Sequence, residues 1–253
     1  MSAAPGDQYA PREIDKYEAI YGRDFVSPGG AACARECIAR LALRPGDRVL
    51  DVGSGLGGSA LLMAREFGAR VDGMDLSAEM VARARERCRQ QHLEDRVRFT
   101  RGDCLDLAAS RVYHAVYSRD VFLHIEDKAR LFRLLREVLV PGGRLLFTDY
   151  CCGEEAPSDD FAAYVAERGY HLLPLARYVE CLREAGFVAV EGEDWTARFI
   201  DISRRELDAL PAAGLGADEQ EDLRRGWQGK IVRAERGEQR WGLLTARTEE
   251  AGA

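Results

Sequence analysis

No apolar run in this sequence approaches the length of about 18 residues that a membrane-spanning helix needs. No signal-peptide pattern opens it either, so the expected location is cytoplasmic. Basic excess is missing as well. Against 43 Asp and Glu stand only 36 Lys and Arg, a formal net charge of −7. Such a chain lacks the field that general nucleic-acid binding or stable membrane binding requires. It is still compatible with a small anion held by a few local cations. The seven cysteines include no C-x-x-C pair, and the four histidines form no cluster with zinc spacing. The thiols are therefore read as reduced and mostly buried, and no metal is expected. No internal repeat is visible, and the loop-like "PAAGLGADEQEDLRR" is too short to separate domains. One domain over residues 1–253 is expected, as a monomer.

What is present is alternation. "RVLDVGSG", "ARVDGMDLS", "RVRFTRGD", "YHAVYSRDVFLHI" and "RLLFTDYC" read as strands, each ending in glycine or polar residues. Between them lie helical patterns. One is closed by Gly68, one opens on Ser77 as N-cap, and one is stopped by Pro141 and two glycines. Strands and helices in this rhythm predict a doubly wound, mostly parallel sheet, expected to be seven-stranded and Rossmann-like. Beyond Cys152 the rhythm changes. Two helical stretches lead to a strand over "VAVEGEDWTARF", then further charged helices and a last strand "RWGLLTAR". Residues 151–235 are thus expected as helical additions, and residues 1–30 as a terminal arm with little apolar periodicity.

Ligands of open α/β sheets sit at the carboxyl ends of the strands, where the strand order reverses. Four acidic or glycine-rich strand ends gather there: "DVGSGLGG", "GMDLS", "RGDCLD" and "YSRDVFLH". Gly53, Gly55 and Gly58 match G-x-G-x-x-G, a weak signal alone. No Walker lysine follows, which removes a P-loop NTPase. A dinucleotide would lay its pyrophosphate on the helix N-terminus, where Asp51 would repel it. S-adenosylmethionine has no phosphate, and its ammonium suits a carboxylate at the turn. Asp75 ends the second strand, placed to accept from ribose hydroxyls, and Asp103 follows the third, within reach of an adenine amino group. The bland alternatives are that Asp75 and Asp103 merely cap the helices that follow. The series D-x-G-x-G-x-G, then Asp75, then Asp103, resembles class I S-adenosylmethionine-dependent methyltransferases. The expected cofactor set around it also takes in Leu76, Cys104 and Ser118.

The stretches outside that shared pattern speak to substrate. "QYAPREIDKYEAIYGRDFVSPGG", "YSRDVFLHI", "FTDYC", "AERGYHLL" and "GWQGKIVRAERGEQRWG" resemble phosphoethanolamine N-methyltransferases, and the resemblance covers nearly the whole chain. It implies a Tyr–His pair closing over the bound phosphobase, here Tyr9 and His124, with Asp120 as a carboxylate beside the amine. It implies that Gln8 and Tyr17 line the pocket from the arm, which would act as a lid. It implies that Tyr150, Arg168, Tyr170 and Lys230 bind the phosphate, and that Ser27 touches the cofactor. The chain departs from the family's pattern through extra glycines, as in "RGY" and "QGK", and through a weaker match over residues 190–222.

The chemistry asks for these residue types. A phosphate needs cations and hydroxyl donors; a guanidinium binds two oxygens at once, and an ammonium adds a point charge. The amine end is harder. An alkylammonium of pKa ~10 must lose a proton before it attacks, at a cost of roughly 4 kcal/mol near pH 7. His124, at an ordinary pKa of about 6.5, is expected to accept that proton directly or through Tyr9. The other histidines, His92, His114 and His171, carry no expected catalytic role, and Trp227 and Trp241 are read as packing. The basic run "RGWQGKIVRAERGEQR" reads as a solvated helix face with one pocket lysine rather than a nucleic-acid patch. Three rival readings stay open here: a methyltransferase for an aminoalkylphosphonate or other small amine, a non-catalytic cofactor-binding module, and a dehydrogenase.

Overall fold

Hydrophobic alternation along the strands decides the layering. In the computed structural model, which describes residues 11–252, β1 (Arg48–Val52) turns Val49 to one face of the sheet and Leu50 and Val52 to the other. Each face is covered by helices. α2 (Gly30–Arg40), α3 (Gly58–Phe67) and α4 (Ala78–Gln90) pack on the Val49 side, α4 with Ser77 as its N-cap. α5 (Lys128–Val138) and α7 (Leu175–Glu184) pack on the other. Sheets buried on both faces in this way are what strand–helix alternation predicts.

Among the described residues, seven strands form one sheet in the order β3-β2-β1-β4-β5-β7-β6. The strands added to β1 are β2 (Arg70–Asp75), β3 (Val97–Arg101), β4 (Tyr113–Arg119), β5 (Leu139–Cys152), β6 (Val188–Asp194) and β7 (Gln239–Arg247). β1 to β5 pair parallel, and β7 enters antiparallel between β5 and β6. The order reverses between β1 and β4, so their carboxyl ends open the crevice where a ligand fits. The expected fold is therefore the observed one: a doubly wound, mostly parallel, Rossmann-like α/β sheet.

Three expectations need correction. The arm is not aperiodic: residues Pro11–Tyr21 form helix α1. Ile14, Tyr17 and Tyr21 recur at helical spacing, and two of the three are hydroxyl-tipped, so the stripe looked polar. The strand over "VAVEGEDWTARF" stops at Asp194, and α8 (Thr196–Ala209) begins at once. Asp194 accepts from the Thr196 N–H, so "DWT" is a helix start. The loop-like stretch begins inside a 3-10 turn, Leu210–Ala212, and is irregular only over residues 213–216. From Ala217 it is already α9 (Ala217–Glu235), whose first turn carries Asp218 and Glu219.

Candidate active site

The cofactor end starts at the β1 turn. Gly53 and Ser54 both donate to the Met74 carbonyl, at 2.8 and 2.9 Å, which folds the turn back over β2. Gly53 has φ 70° and presses on Val121, since a Cβ there would lie 2.2 Å from a Val121 methyl. No other residue type fits. The turn is thereby in contact with the residue next to Asp120. Gly55 donates to Asp75 Oδ2 at 2.8 Å, and Ser77 donates to Asp75 Oδ1 at 2.9 Å. Asp75 therefore does brace α4, as the bland alternative held, while each oxygen keeps a further lone pair. Asp103 also caps: its Oδ1 accepts from Leu105 at 2.8 Å, at the start of a short 3-10 helix Cys104–Asp106.

Asp51 differs from both. It is 2% exposed, and no donor among the described residues reaches its Oδ2. Burial pushes its carboxyl up to about 7, the nearby Asp75 charge adds to the rise, and Arg119 opposes it. An unpaired buried carboxylate is costly unless a ligand pairs it, and an amino-acid ammonium is the matching group. The residues present fit S-adenosylmethionine on that ground. Leu76 leaves 65% of its surface open beside Asp75. Cys104 is buried, its thiol pushed up to about 12 by burial and by Asp103. Ser118 is fully buried and donates its hydroxyl to the Val52 carbonyl at 2.8 Å. Ser27 sits half-buried where the chain enters α2. There Gly30 is forced by space, because a Cβ would meet the Tyr21 carbonyl oxygen at 2.0 Å.

Asp120 follows β4 and adopts φ 56°. Its N–H donates to Thr148 O at 2.8 Å, and its Oδ1 accepts from Thr148 Oγ1 at 3.1 Å and from the Trp241 indole at 2.7 Å. Its Oδ2 is buried and has no donor among the described residues. One carboxylate oxygen is thus fixed and the other left for a ligand. Alternation along β5 explains the division of labour. Thr148 and Tyr150 face this site, whereas Asp149 points to the opposite face and takes the Tyr178 hydroxyl proton in a hydrogen bond.

His124 ends a short 3-10 helix, Phe122–His124, with its ring edge-on to Tyr170 at 5.3 Å between centroids. Burial pushes its pKa down to about 4, and the Lys128 and His171 charges add to the drop. The expectation of an imidazole near its ordinary value is corrected: His124 is neutral at pH 7 and a weak base. Lys128 holds the His124 loop in place. Its ammonium donates to the carbonyls of Ile125 and, at 2.8 Å, His171, while the His171 N–H donates to Leu123 O at 2.7 Å.

The two expected phosphate cations lie on α9 and at the end of a helix after β5. Lys230, half-buried on α9, lies 4.2 Å from the Trp227 ring centroid and donates to Tyr21 Oη at 3.3 Å. Burial pushes its pKa down to about 8; Glu206 and Asp120 pull upward, while Arg168 and Arg233 push further down. The two cations are linked through the arm: Lys230 donates to Tyr21 Oη, Tyr21 stacks on Tyr17, and Tyr17 hydrogen-bonds Arg168. Arg168 ends α6 (Asp159–Arg168), hydrogen-bonds Tyr17, and lies 5.7 Å from the Tyr164 ring centroid. Tyr150 is 8% exposed, and burial holds its hydroxyl well above its ordinary pKa, so it stays a donor. Tyr17 and Tyr21 stack at 6.1 Å, and both lie against Trp227. The structure adds Tyr21, Trp227, Trp241, Lys128 and Glu206 to the site. A tyrosine at i+4 from Tyr17 was the one signal for any of them. Gln8 and Tyr9 lie outside the described residues.

Among the described residues, no group of three His, Cys, Asp or Glu is placed to hold a metal, and no helix is long and apolar enough to cross a membrane. A family profile described as a methyltransferase domain matches residues 49–143, the span from β1 to the start of β5. The chain is 40% identical over 247 residues to phosphoethanolamine N-methyltransferase 3 of Arabidopsis thaliana, covering 95% of this chain and 50% of that protein. It is 30% identical to the phosphoethanolamine N-methyltransferase of Plasmodium falciparum, covering 95% of this chain and 93% of that one. The solved Haemonchus contortus phosphoethanolamine N-methyltransferase 2, in complex with phosphomonomethylethanolamine and S-adenosylhomocysteine, superposes with a TM-score of 0.92 at 32% identity. That match covers 96% of this chain and 58% of the nematode chain. The chain spans about half the length of the plant relatives it matches. The fold and the glycine turn define a methyltransferase domain. The chain belongs to the phosphoethanolamine N-methyltransferase family.

Proposed function

We propose that this chain transfers methyl groups from S-adenosylmethionine to the nitrogen of phosphoethanolamine and of its mono- and dimethyl forms, towards phosphocholine. The observation that carries the reading is the joined cation group, Lys230 to Tyr21, Tyr21 to Tyr17 and Tyr17 to Arg168, together with an Asp120 Oδ2 that is buried with no donor among the described residues. The turn below Asp120 is the one that Asp51 and Asp75 shape. The ligands named for the Haemonchus contortus protein, a methylated phosphobase and a demethylated cofactor, support the same assignment.

When bound, S-adenosylmethionine supplies an electrophilic methyl group on a sulfonium. The chain supplies alignment and charge. Arg168, Lys230, Tyr150 and Tyr170 hold the phosphate. A non-phosphorylated amine would forgo the charge-assisted hydrogen bonds that a phosphate makes to a guanidinium and an ammonium. Asp120 orients the amine and stabilises the positive charge that grows on nitrogen. His124 is neutral at pH 7. A full transfer from an ammonium of pKa ~10 to a base at about 4 is uphill by roughly 8 kcal/mol. His124 therefore does not store the proton, which passes to solvent water, and its role is to orient the amine. Residues 151–235 and the arm carry the substrate end, with Tyr9 closing on His124 as a latch.

The test is a transfer assay with a labelled methyl donor and each of the three phosphobases, with 2-aminoethylphosphonate beside them. Arg168→Ala and Lys230→Ala should each raise KM for phosphobase by about ten- to a hundredfold, the worth of a charge-assisted hydrogen bond. Affinity for S-adenosylhomocysteine should stay within about twofold of wild type, since neither side chain is assigned to the cofactor. Tyr9→Phe should slow turnover more than it weakens binding. Absence of transfer to any phosphobase, or an unchanged KM in both cation variants, overturns the reading.

A further inference from the structure

Glu206, on α8, is 9% exposed and reaches both ends of the site. Its Oε1 accepts from the Gly29 backbone N–H at 2.8 Å, and its Oε2 accepts from the Trp227 indole at 2.9 Å. Gly29 belongs to residues 27–30, the loop that enters α2. Arg119 grips that loop from the sheet, donating to the carbonyls of Pro28 and Gly30. Val26, just before it, leans on the cofactor turn: a Cβ at Gly55 would lie 3.4 Å from a Val26 methyl. At the other end, Trp227 is the platform under Lys230, and Tyr21 closes the group from α1.

We propose that Glu206 is a positioning residue that couples the two ligands. It holds the 27–30 loop and the Trp227–Lys230 pair in one frame, so that occupancy of the cofactor end strengthens phosphobase binding, and the reverse. This rests on the assignment of the phosphate to Lys230 and of the cofactor to the glycine turn. The physical basis is shared ordering. Whichever ligand binds first fixes one donor of the Glu206 pair, and the second then loses less freedom on binding. Both Glu206 oxygens accept from N–H groups, a role only a carboxylate fills. In Glu206→Gln the amide nitrogen would face one of those donors, so one tie breaks while shape and volume stay.

The charge has a separate effect. The groups facing Lys230 are Tyr21 from α1, Asp120 after β4, Arg168 from α6, Glu206 from α8 and Arg233 on α9 itself. Two are anionic and two cationic. Loss of the Glu206 charge leaves the cations in excess, and Lys230 sheds its proton at lower pH.

The experiment is calorimetric titration of phosphocholine, with and without saturating S-adenosylhomocysteine, on wild type, Glu206→Gln, Glu206→Asp and Lys230→Ala. In wild type each ligand should tighten the other by about fivefold or more, equally in both directions. Glu206→Gln should bring that factor below about twofold, and should move the alkaline loss of phosphocholine affinity to lower pH. Glu206→Asp keeps the charge but is too short to reach both partners, so the factor should fall while the alkaline limb stays. Packing damage alone would weaken binding equally at every pH and leave the factor unchanged. A wild-type factor near one, or an unchanged factor in Glu206→Gln, overturns the proposal. Wild-type phosphocholine affinity in Lys230→Ala overturns instead the phosphate assignment beneath it.

Discussion

Trp241 donates its indole N–H to Asp120 Oδ1 at 2.7 Å, joining two residues 121 positions apart in the chain. The contact exists because β7 inserts antiparallel beside β5, which places Trp241 opposite Tyr150. With Thr148 on the same oxygen, it fixes the carboxylate plane, and Oδ2 stays buried with no donor among the described residues. Trp241→Phe keeps most of the packing and removes the donor. We expect kcat to fall by about tenfold, the worth of a hydrogen bond to a charged group, with a smaller rise in KM. Steady-state kinetics beside a thermal melt checks this; an unchanged kcat in a folded variant would show that Asp120 needs no such support.

Lys230 gives the free protein an alkaline limit. Burial lowers its pKa to about 8 from an ordinary 10.5. Below that pH the ammonium is charged and attracts phosphate, and above it the charge is lost. KM for phosphobase should therefore rise from about pH 8 upward. Lys230→Arg should flatten that rise, because a guanidinium does not titrate there. A KM profile from pH 6.5 to 9.5 on both proteins is the measurement.

Asp51 predicts proton release. Its carboxyl sits at about 7, raised from 3.8 chiefly by burial. A cofactor ammonium pairs only with the ionised form, so affinity for S-adenosylhomocysteine should increase as pH rises through 7. Binding at pH 6.5 should expel part of a proton, read as a dependence of the calorimetric enthalpy on buffer. Asp51→Asn should abolish that dependence and weaken binding by at least about tenfold.

His124 should not titrate in the neutral range. With its pKa near 4, its imidazole NMR signals in the free protein should stay fixed from pH 5.5 to 8. His124→Ala should lower kcat by about a hundredfold, within the usual range for a positioned acid–base group, and alter KM less. A midpoint between 6 and 7 would restore the simple general-base role.

The sheet was readable because its signals are local. A strand that ends in Gly53 or Asp75 announces itself over a handful of residues, and the alternation of such units specifies parallel pairing. The acidic strand ends were legible for the same reason, although Asp75 and Asp103 turned out to brace backbone as well. The arm was misread because Tyr17 and Tyr21 count as polar by their hydroxyls yet pack by their rings. Trp241, Trp227, Lys128 and Glu206 could not be found. Trp241 and Glu206 act on Asp120 and Gly29, partners far away in the chain, while Trp227 and Lys128 have near neighbours, Lys230 and Ile125, that carry no signal of the contact.

The sequence alone determined the order of strands and helices, the glycine turn and the inventory of charged groups offered to a ligand. The tertiary structure alone decided which of those groups are spent and which are free. Among the described residues, Asp51 and Asp120 keep an oxygen with no donor, Ser118 spends its hydroxyl on Val52, and His124 lost its ordinary basicity. The reason is physical. Hydrogen-bond satisfaction and desolvation depend on what surrounds an atom in space, and in this fold those surroundings come from strands and helices distant in the chain.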